Sequence, residues 1–283
     1  MGSHDGLVSG RIIRPSVVAR GELLVCIHGG GCNGNYFDLT GCSMAQEAVA
    51  RGFVVLLVDR PAHGGNPAAP VPYPIAQTTP LIRAFIDQVR PLVPETDAVA
   101  LVGHSIGGAI ALHMAGGCGD WPLSAVAVSG IGEEPAAAIR DIVLPLDSEK
   151  VDPPEALTDS LFHAGGEPLS WKAIASLRRA AELWLVSEVV DVMDSWPRDW
   201  PEVARRIRVP VHLRLAEHER VWRSGEDEVA RMANRLGNSR VDAALLRGGG
   251  HLYEVSKRGP ELLRSQLDFI DDCGAEARAS ATG

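Results

Sequence analysis

The sequence lacks any surplus of positive charge: 27 Lys and Arg stand against 36 Asp and Glu, a net charge of −9. It contains no Lys/Arg-rich run. Without a basic face to displace counterions, the chain is not expected to bind nucleic acid. It also lacks an uninterrupted apolar stretch long enough to span a bilayer. The first six residues are polar and glycine-containing, without the apolar core of a secretory signal. No membrane partner and a cytoplasmic location are therefore expected. The five cysteines, Cys26, Cys32, Cys42, Cys118 and Cys273, are odd in number, and no pair has the Cys-x-x-Cys spacing of a metal site. Free thiols, no metal and a reducing compartment follow as expectations. There is no internal repeat. The one biased stretch is the small, polar end at residues 274–283, read as a frayed tail.

The composition is that of a folded globular chain: 46% hydrophobic and 22% charged over 283 residues, enough to bury a large core. Short apolar runs recur at residues 23–28, 53–59, 98–103, 125–130, 209–216 and 241–246. They are rich in Val, Leu and Ala and mostly apolar on both faces, which suits parallel strands covered by helices on two sides. Residues 43–51, 81–93 and 105–115 fit helices between them. This alternation predicts an α/β protein with a doubly wound, mostly parallel sheet. Residues 132–208 break the rhythm. They hold no strand pattern, five prolines in connecting positions (Pro135, Pro145, Pro153, Pro154, Pro168) and four of the six tryptophans (Trp171, Trp184, Trp196, Trp200). Leu183, Val186, Val190 and Met193 recur at spacings of three and four, the pattern of one helix face. The segment reads as a helical cap inserted into a core made of residues 7–131 and 209–273.

Gly103-His104-Ser105-Ile106-Gly107 lies between an apolar strand and a helical run. In that context G-x-S-x-G places the serine on a tight strand-to-helix turn, with its hydroxyl thrust out over the sheet beside a helix N-terminus. His28-Gly29-Gly30-Gly31 closes an earlier strand. Backbone N–H groups without side chains can approach a substrate carbonyl there, so the N–H of Gly30 and that of Ile106 are the expected oxyanion donors, with Gly31 as a helper.

A serine nucleophile needs a base, and the base an orienting acid. Of nine histidines, His4 is terminal, and His28, His63 and His104 lie in glycine-containing loops suited to structural hydrogen bonds. His113 and His163 fall in helical or cap contexts, His212 lies within a strand, and His218 flanks acid candidates. His251 follows Gly248-Gly249-Gly250 and the last strand, where the base belongs in the order Ser, acid, His. For the acid, the strand at 209–216 runs into Ala216-Glu217-His218-Glu219, so Glu217 and Glu219 are both available, with Glu133 as a third.

A rival reading exists for the glycine loop. Residues 29–34 also satisfy G-x-G-x-x-G after a strand, and Asp59 ends the next strand, as in a dinucleotide-binding fingerprint. That fingerprint needs a helix starting within the glycines. Asn35-Tyr36-Phe37-Asp38 reads instead as loop, with Thr40 or Ser43 as the helix cap. It also leaves Ser105 and His251 without a task.

Taken together, these motifs resemble those of the α/β-hydrolase superfamily over nearly the whole chain. Gly103–Gly108 is similar to its nucleophile elbow, His28–Gly31 to its oxyanion loop and Gly250-His251 to its terminal Gly-His. Asp59-Arg60-Pro61-Ala62-His63-Gly64-Gly65 resembles its D-x-R-G-H-G segment. The resemblance implies the α/β-hydrolase fold with a helical cap, and a triad of Ser105, Glu219 and His251. Glu219 occupies the place of the usual Asp, three residues after Ala216, which replaces the usual Gly. The implied activity is hydrolysis of a carboxylic ester, thioester or lactone through an acyl-enzyme on Ser105, with no cofactor and a small-molecule acyl substrate. The cap tryptophans favour an apolar or aromatic one. Non-hydrolytic use of the same site, as an acyltransferase, lyase or polyketide cyclase, and NAD(P)-dependent dehydrogenation are the alternatives.

Overall fold

The computed structural model describes residues 1–3, 5–67, 74–155, 161, 167–237 and 240–281. His163 lies outside the described residues. Seven strands form one sheet: β1 (Ser9–Ile13), β2 (Glu22–Ile27), β3 (Val54–Asp59), β4 (Ala98–His104), β5 (Leu123–Ser129), β6 (Val211–Ala216) and β7 (Val241–Leu246). Their order is β1-β3-β2-β4-β5-β6-β7, parallel throughout except for the antiparallel edge pair β1 and β3. The six apolar runs in the sequence correspond to β2 through β7. In β2, Leu23, Val25 and Ile27 enter one hydrophobic cluster and Leu24 and Cys26 the other, so the sheet is a wall between two cores. That two-sided burial is why these runs are continuously apolar. β1 has no such signal, because Gly10 and Arg11 interrupt a half-buried edge strand.

From β2 the chain turns to β3 on one side, then crosses to β4 on the other. The C-terminal ends of β2 and β4 therefore form a topological switch point, where a crevice opens in sheets of this type. Register sets Ile27 beside Gly103 and His104 beside Ser129, so the loops after β2 and β4 emerge side by side.

Helix α1 (Met44–Ala50) is capped by Ser43, whose hydroxyl accepts the Gln46 N–H at 3.0 Å. Helix α2 (Ile75–Val89) starts six residues before the expected position 81. Pro80 removes one hydrogen bond inside it, but a stripe including Ile75, Ile82, Phe85, Ile86 and Val89 is buried, and tertiary packing outweighs that local loss. Helix α3 (Ile106–Gly116) is buried on nearly all sides behind the sheet.

Between β5 and β6 the described chain forms α4 (Ala137–Val143), α5 (Trp171–Leu177), α6 (Val186–Asp194) and α7 (Trp196–Arg206). It also holds one short antiparallel pairing, Lys150–Val151 with Trp184–Leu185, which the sequence pattern did not reveal. Leu183 precedes α6 and is exposed; the inward face of that helix is Val186, Val189, Val192 and Met193. Trp196 and Trp200 are buried, whereas Trp171 is exposed. Helices α8 (Glu226–Arg235) and α9 (Gly259–Ala281) complete the chain. Because α9 runs to Ala281, most of the expected frayed tail is helical; Ala, Glu and Arg are strong helix formers, and Gly274 alone does not break the helix. Among the described residues, no helix is long and apolar enough to cross a membrane.

Candidate active site

β4 ends at His104 and α3 begins at Ile106, so Ser105 alone turns the chain. It does so at φ 52° and ψ −122°, a backbone conformation that non-glycine residues rarely hold. The turn is pinned by the Ser105 N–H donating to Ser129 O at 2.9 Å. Its flanking glycines are required by contact. A Cβ on Gly107 would stand 2.0 Å from Ile27 O, and one on Gly103 2.4 Å from Gly107 O. Ile106 is the first residue of α3, where a backbone N–H has no intrahelical acceptor.

The loops after β6 and β7 run on together: the Glu217 N–H donates to Leu246 O at 3.0 Å and the His218 N–H to Gly249 O at 2.8 Å. This zipper brings Glu219 against His251. Nδ1 of His251 lies 2.9 Å and 3.0 Å from the two Glu219 carboxylate oxygens, and Nε2 lies 3.2 Å from Ser105 Oγ. With Nδ1–H donated to Glu219, Nε2 is left to accept from the Ser105 hydroxyl. Glu219 also accepts the Val221 N–H at 2.9 Å, which fixes its carboxylate. The other acid candidates are engaged elsewhere. Glu217 accepts from the Gly248 N–H and from Arg247, which hold its carboxyl below the ordinary value. Glu133 accepts from Arg235 Nε at 2.9 Å.

The loop after β2 is bound to the segment after β3. Arg60, fully buried, donates through Nε to His28 O at 3.1 Å and through Nη2 to Gly29 O at 3.0 Å. Its remaining arm pairs with Glu188 of α6. His28 donates Nδ1–H to Gly29 O at 2.9 Å and accepts the Arg60 N–H at Nε2. Burial, reinforced by the Arg60 charge, holds the His28 imidazole well below its ordinary pKa, so it stays neutral. The rival nucleotide reading finds no matching local structure. Residues Gly34–Phe37 make a single 3₁₀ turn, the next helix starts at Met44, and Asp59 accepts the Gly34 N–H at 2.7 Å. Among the described residues, no group of three or more His, Cys, Asp or Glu could hold a metal ion.

A buried polar network that the sequence did not reveal lies beneath Ser105 and His251. Glu254 accepts from Tyr36 OH at 2.9 Å and Ser129 Oγ at 2.8 Å, and stands 3.3 Å from His104 Nδ1. The His104 ring stacks on Tyr36 and lies 5.1 Å from the His251 ring. Burial pushes the Glu254 carboxyl up, but the His104 ring and the hydrogen bonds from His104 and Ser129 outweigh it and hold the group at about 2. The one clue in the sequence is its position three residues after His251.

Ser105, His251, Gly30 and Ile106 open onto a cavity with about 580 Å³ of empty space, its mouth included. Apart from His104 and Cys32, its remaining wall is apolar and comes largely from the 132–208 segment: Ile139 and Val143 of α4, Trp184, and Val189, Val192 and Met193 of α6. Of the four tryptophans in that segment, Trp184 alone lines it. Cys32 also touches it, and burial pushes that thiol up to about 12.

No curated protein matches this sequence. Solved structures do match its fold. A thermostable carboxyl esterase from Bacillus coagulans superposes with a TM-score of 0.72 at 17% identity, covering 94% of each chain. The enol-lactonase of Burkholderia xenovorans gives 0.68 at 17% identity, over 93% of this chain and 96% of its own. A monoacylglycerol lipase from Paleococcus ferrophilus gives 0.65 at 18% identity, over 94% and 99%. The model of the alpha/beta hydrolase family matches residues 24–262. With that model spanning most of its length and the doubly wound sheet beneath it, the chain belongs to the alpha/beta hydrolase family.

Proposed function

We propose that the protein hydrolyses carboxylic esters, thioesters or lactones of compact, uncharged apolar acids through an acyl-enzyme on Ser105. One observation carries the reading: His251 reaches Ser105 Oγ with Nε2 and Glu219 with Nδ1. Nε2 takes the hydroxyl proton as Oγ bonds to the substrate carbonyl carbon. The N–H groups of Gly30 and Ile106 receive the oxyanion, and Glu219 steadies the imidazolium. The proton on Nε2 then passes to the leaving oxygen or sulfur as that bond breaks. Water, deprotonated by the same nitrogen, attacks the acyl-enzyme and releases the acid with Ser105 restored. The scheme draws on protein groups alone. The family supports it, as do the ester- and lactone-cleaving neighbours of the same fold.

The 132–208 segment acts as the cap in this reading, since α4 and α6 supply the apolar wall over Ser105. Among the described residues, that wall holds no Lys or Arg to pair with an acidic substrate, which is why the acyl group is taken to be neutral. The test is a fluorophosphonate probe followed by mapping of the modified residue, beside turnover of p-nitrophenyl esters of increasing chain length. Stoichiometric label on Ser105 is expected, with a loss of at least about three orders of magnitude in Ser105→Ala. Label on another serine, or full activity in that variant, would overturn the reading.

A further inference from the structure

Gly29 and Gly30 share the peptide whose N–H is the proposed oxyanion donor. In a trans peptide the C=O and N–H point in opposite directions, so whatever holds the oxygen also aims the hydrogen. Neither residue has a side chain to key that peptide, and glycine backbones reorient at little cost. Its oxygen is nonetheless held twice, by His28 Nδ1–H at 2.9 Å and by Arg60 Nη2 at 3.0 Å. A second Arg60 arm grips the preceding carbonyl, His28 O, at 3.1 Å. A cation donating to a carbonyl oxygen also polarises the amide and makes its N–H a stronger donor.

Arg60 lies at zero exposure, and Glu188, itself 1% exposed, is its ion-pair partner. Glu188 belongs to α6, next to Val189, which lines the cavity and would lie 3.7 Å from a Cβ on Gly30. Buried ion pairs of this kind are weak sources of stability, since apolar replacements of similar volume are often neutral or better. We infer that the Arg60–Glu188 pair is a positioning device: through its hydrogen bond to Gly29 O it aims the Gly30 N–H at the reacting carbonyl, and it anchors that aim to α6. Arg60 and Glu188 touch no substrate and act through the Gly29–Gly30 peptide. The inference rests on the ester-hydrolase reading above.

The test compares Arg60→Met, Glu188→Leu, the double variant and Arg60→Lys. Each single apolar change strands a buried charge and is expected to lower Tm. The double variant removes both charges and is expected to recover Tm to within a few degrees of the wild type. If the pair served only the fold, activity would return with it. Positioning predicts instead that kcat stays roughly 10²–10³-fold down with KM within about threefold, the signature of a lost oxyanion donor. Arg60→Lys keeps the ion pair but cannot hold both carbonyls and Glu188 in one planar fork, so kcat should fall by about tenfold or more at near-native Tm. A double variant or Arg60→Lys with kcat within about threefold of the wild type would overturn the inference, and Arg60→Lys decides if the double variant does not fold. A readout independent of turnover is the Gly30 amide in 15N-glycine-labelled protein. Its resonance should move and its hydrogen exchange should quicken in both variants, and a native-like Gly30 signal overturns the inference even for an inactive chain. A wild type that neither cleaves esters nor takes label at Ser105 would instead overturn the ester-hydrolase reading.

Discussion

Glu219 spends the additional methylene of a glutamate on reach: both carboxylate oxygens lie within 3.0 Å of His251 Nδ1, from a loop that starts three residues earlier at Ala216. Glu217, two residues away, faces Arg247 and the Gly248 amide on the other side of that loop. Glu219→Gln should therefore keep the fold but remove the charge that supports the imidazolium in the proposed reaction. A loss of up to roughly 10⁴-fold in kcat is expected, by analogy with a triad Asp→Asn change. Glu217→Gln weakens the surface pair with Arg247 and the hydrogen bond from the Gly248 N–H, and should leave kcat within a few-fold. Steady-state kinetics of the two variants, with Tm as the control for folding, decides the matter; the reverse pattern would remove Glu219 from the triad. The motifs that made Ser105 and His251 candidates are contiguous in the chain, although the two side chains meet across 146 residues. Arg60 could be seen in its motif, but its partner could not. Glu188 lies 128 residues away, and Glu254 lies 125 and 218 residues from Ser129 and Tyr36. Polar contacts of that separation leave no local pattern.

Among the elements, the buried parallel strands were the most legible, because burial on two faces demands an unbroken apolar run. The edge strand β1 and the start of α2 were not, since one is half solvated and the other is held by packing against local proline chemistry. The contact between α3 and the end of β2 tests how far the elbow depends on element packing. A Cβ at Gly107 would collide with the Ile27 and His28 carbonyl oxygens at 2.0 and 2.5 Å, both backbone atoms that cannot swing aside. At Gly30 a Cβ would meet only side-chain tips, Ile106 Cδ1 at 3.0 Å and Val189 Cγ1 at 3.7 Å. Gly107→Ala should thus pry α3 from the sheet, at about 1–3 kcal/mol or more. Tm should fall by several degrees and fluorophosphonate labelling of Ser105 should slow. Gly30→Ala should change turnover while leaving Tm nearly as it was. Calorimetry of both variants checks this, and equal Tm losses would show that the α3–β2 contact is not the constraint.

For the whole molecule, the fold buries groups that resist protonation. Burial and the Arg60 charge hold His63 at about 3, and burial with the Arg214 charge holds His212 at about 3, against an ordinary 6.5. His28 is lowered in the same direction. Glu254 is held at about 2 against an ordinary 4.5. For each, the folded state takes its proton at lower pH than the unfolded state. Between the two values the unfolded chain binds more protons, so stability falls as pH falls. The contribution of His63 and His212 begins to be lost near pH 6.5 and is spent by about 3; that of Glu254 goes between about 4.5 and 2. Each group adds at most about 1.4 kcal/mol per pH unit within its window. An opposing effect exists, because acidification relieves the repulsion among the carboxylates of a chain carrying −9. Those charges are mostly solvated and screened beyond about 8–10 Å, so the buried groups should win. Tm is expected to decline steadily from pH 7 to pH 4. His212 makes the cleanest probe. It is fully buried in β6 against Phe269, neither ring nitrogen has a hydrogen-bond partner among the described residues, and it takes no part in the site. His212→Leu removes its proton linkage while keeping an apolar side chain of similar bulk. The variant should therefore lose Tm less steeply than the wild type between pH 6.5 and 4. Thermal melts across that range measure both slopes, and a wild-type Tm that holds or rises on acidification, or a variant slope equal to the wild type's, would refute the assignment.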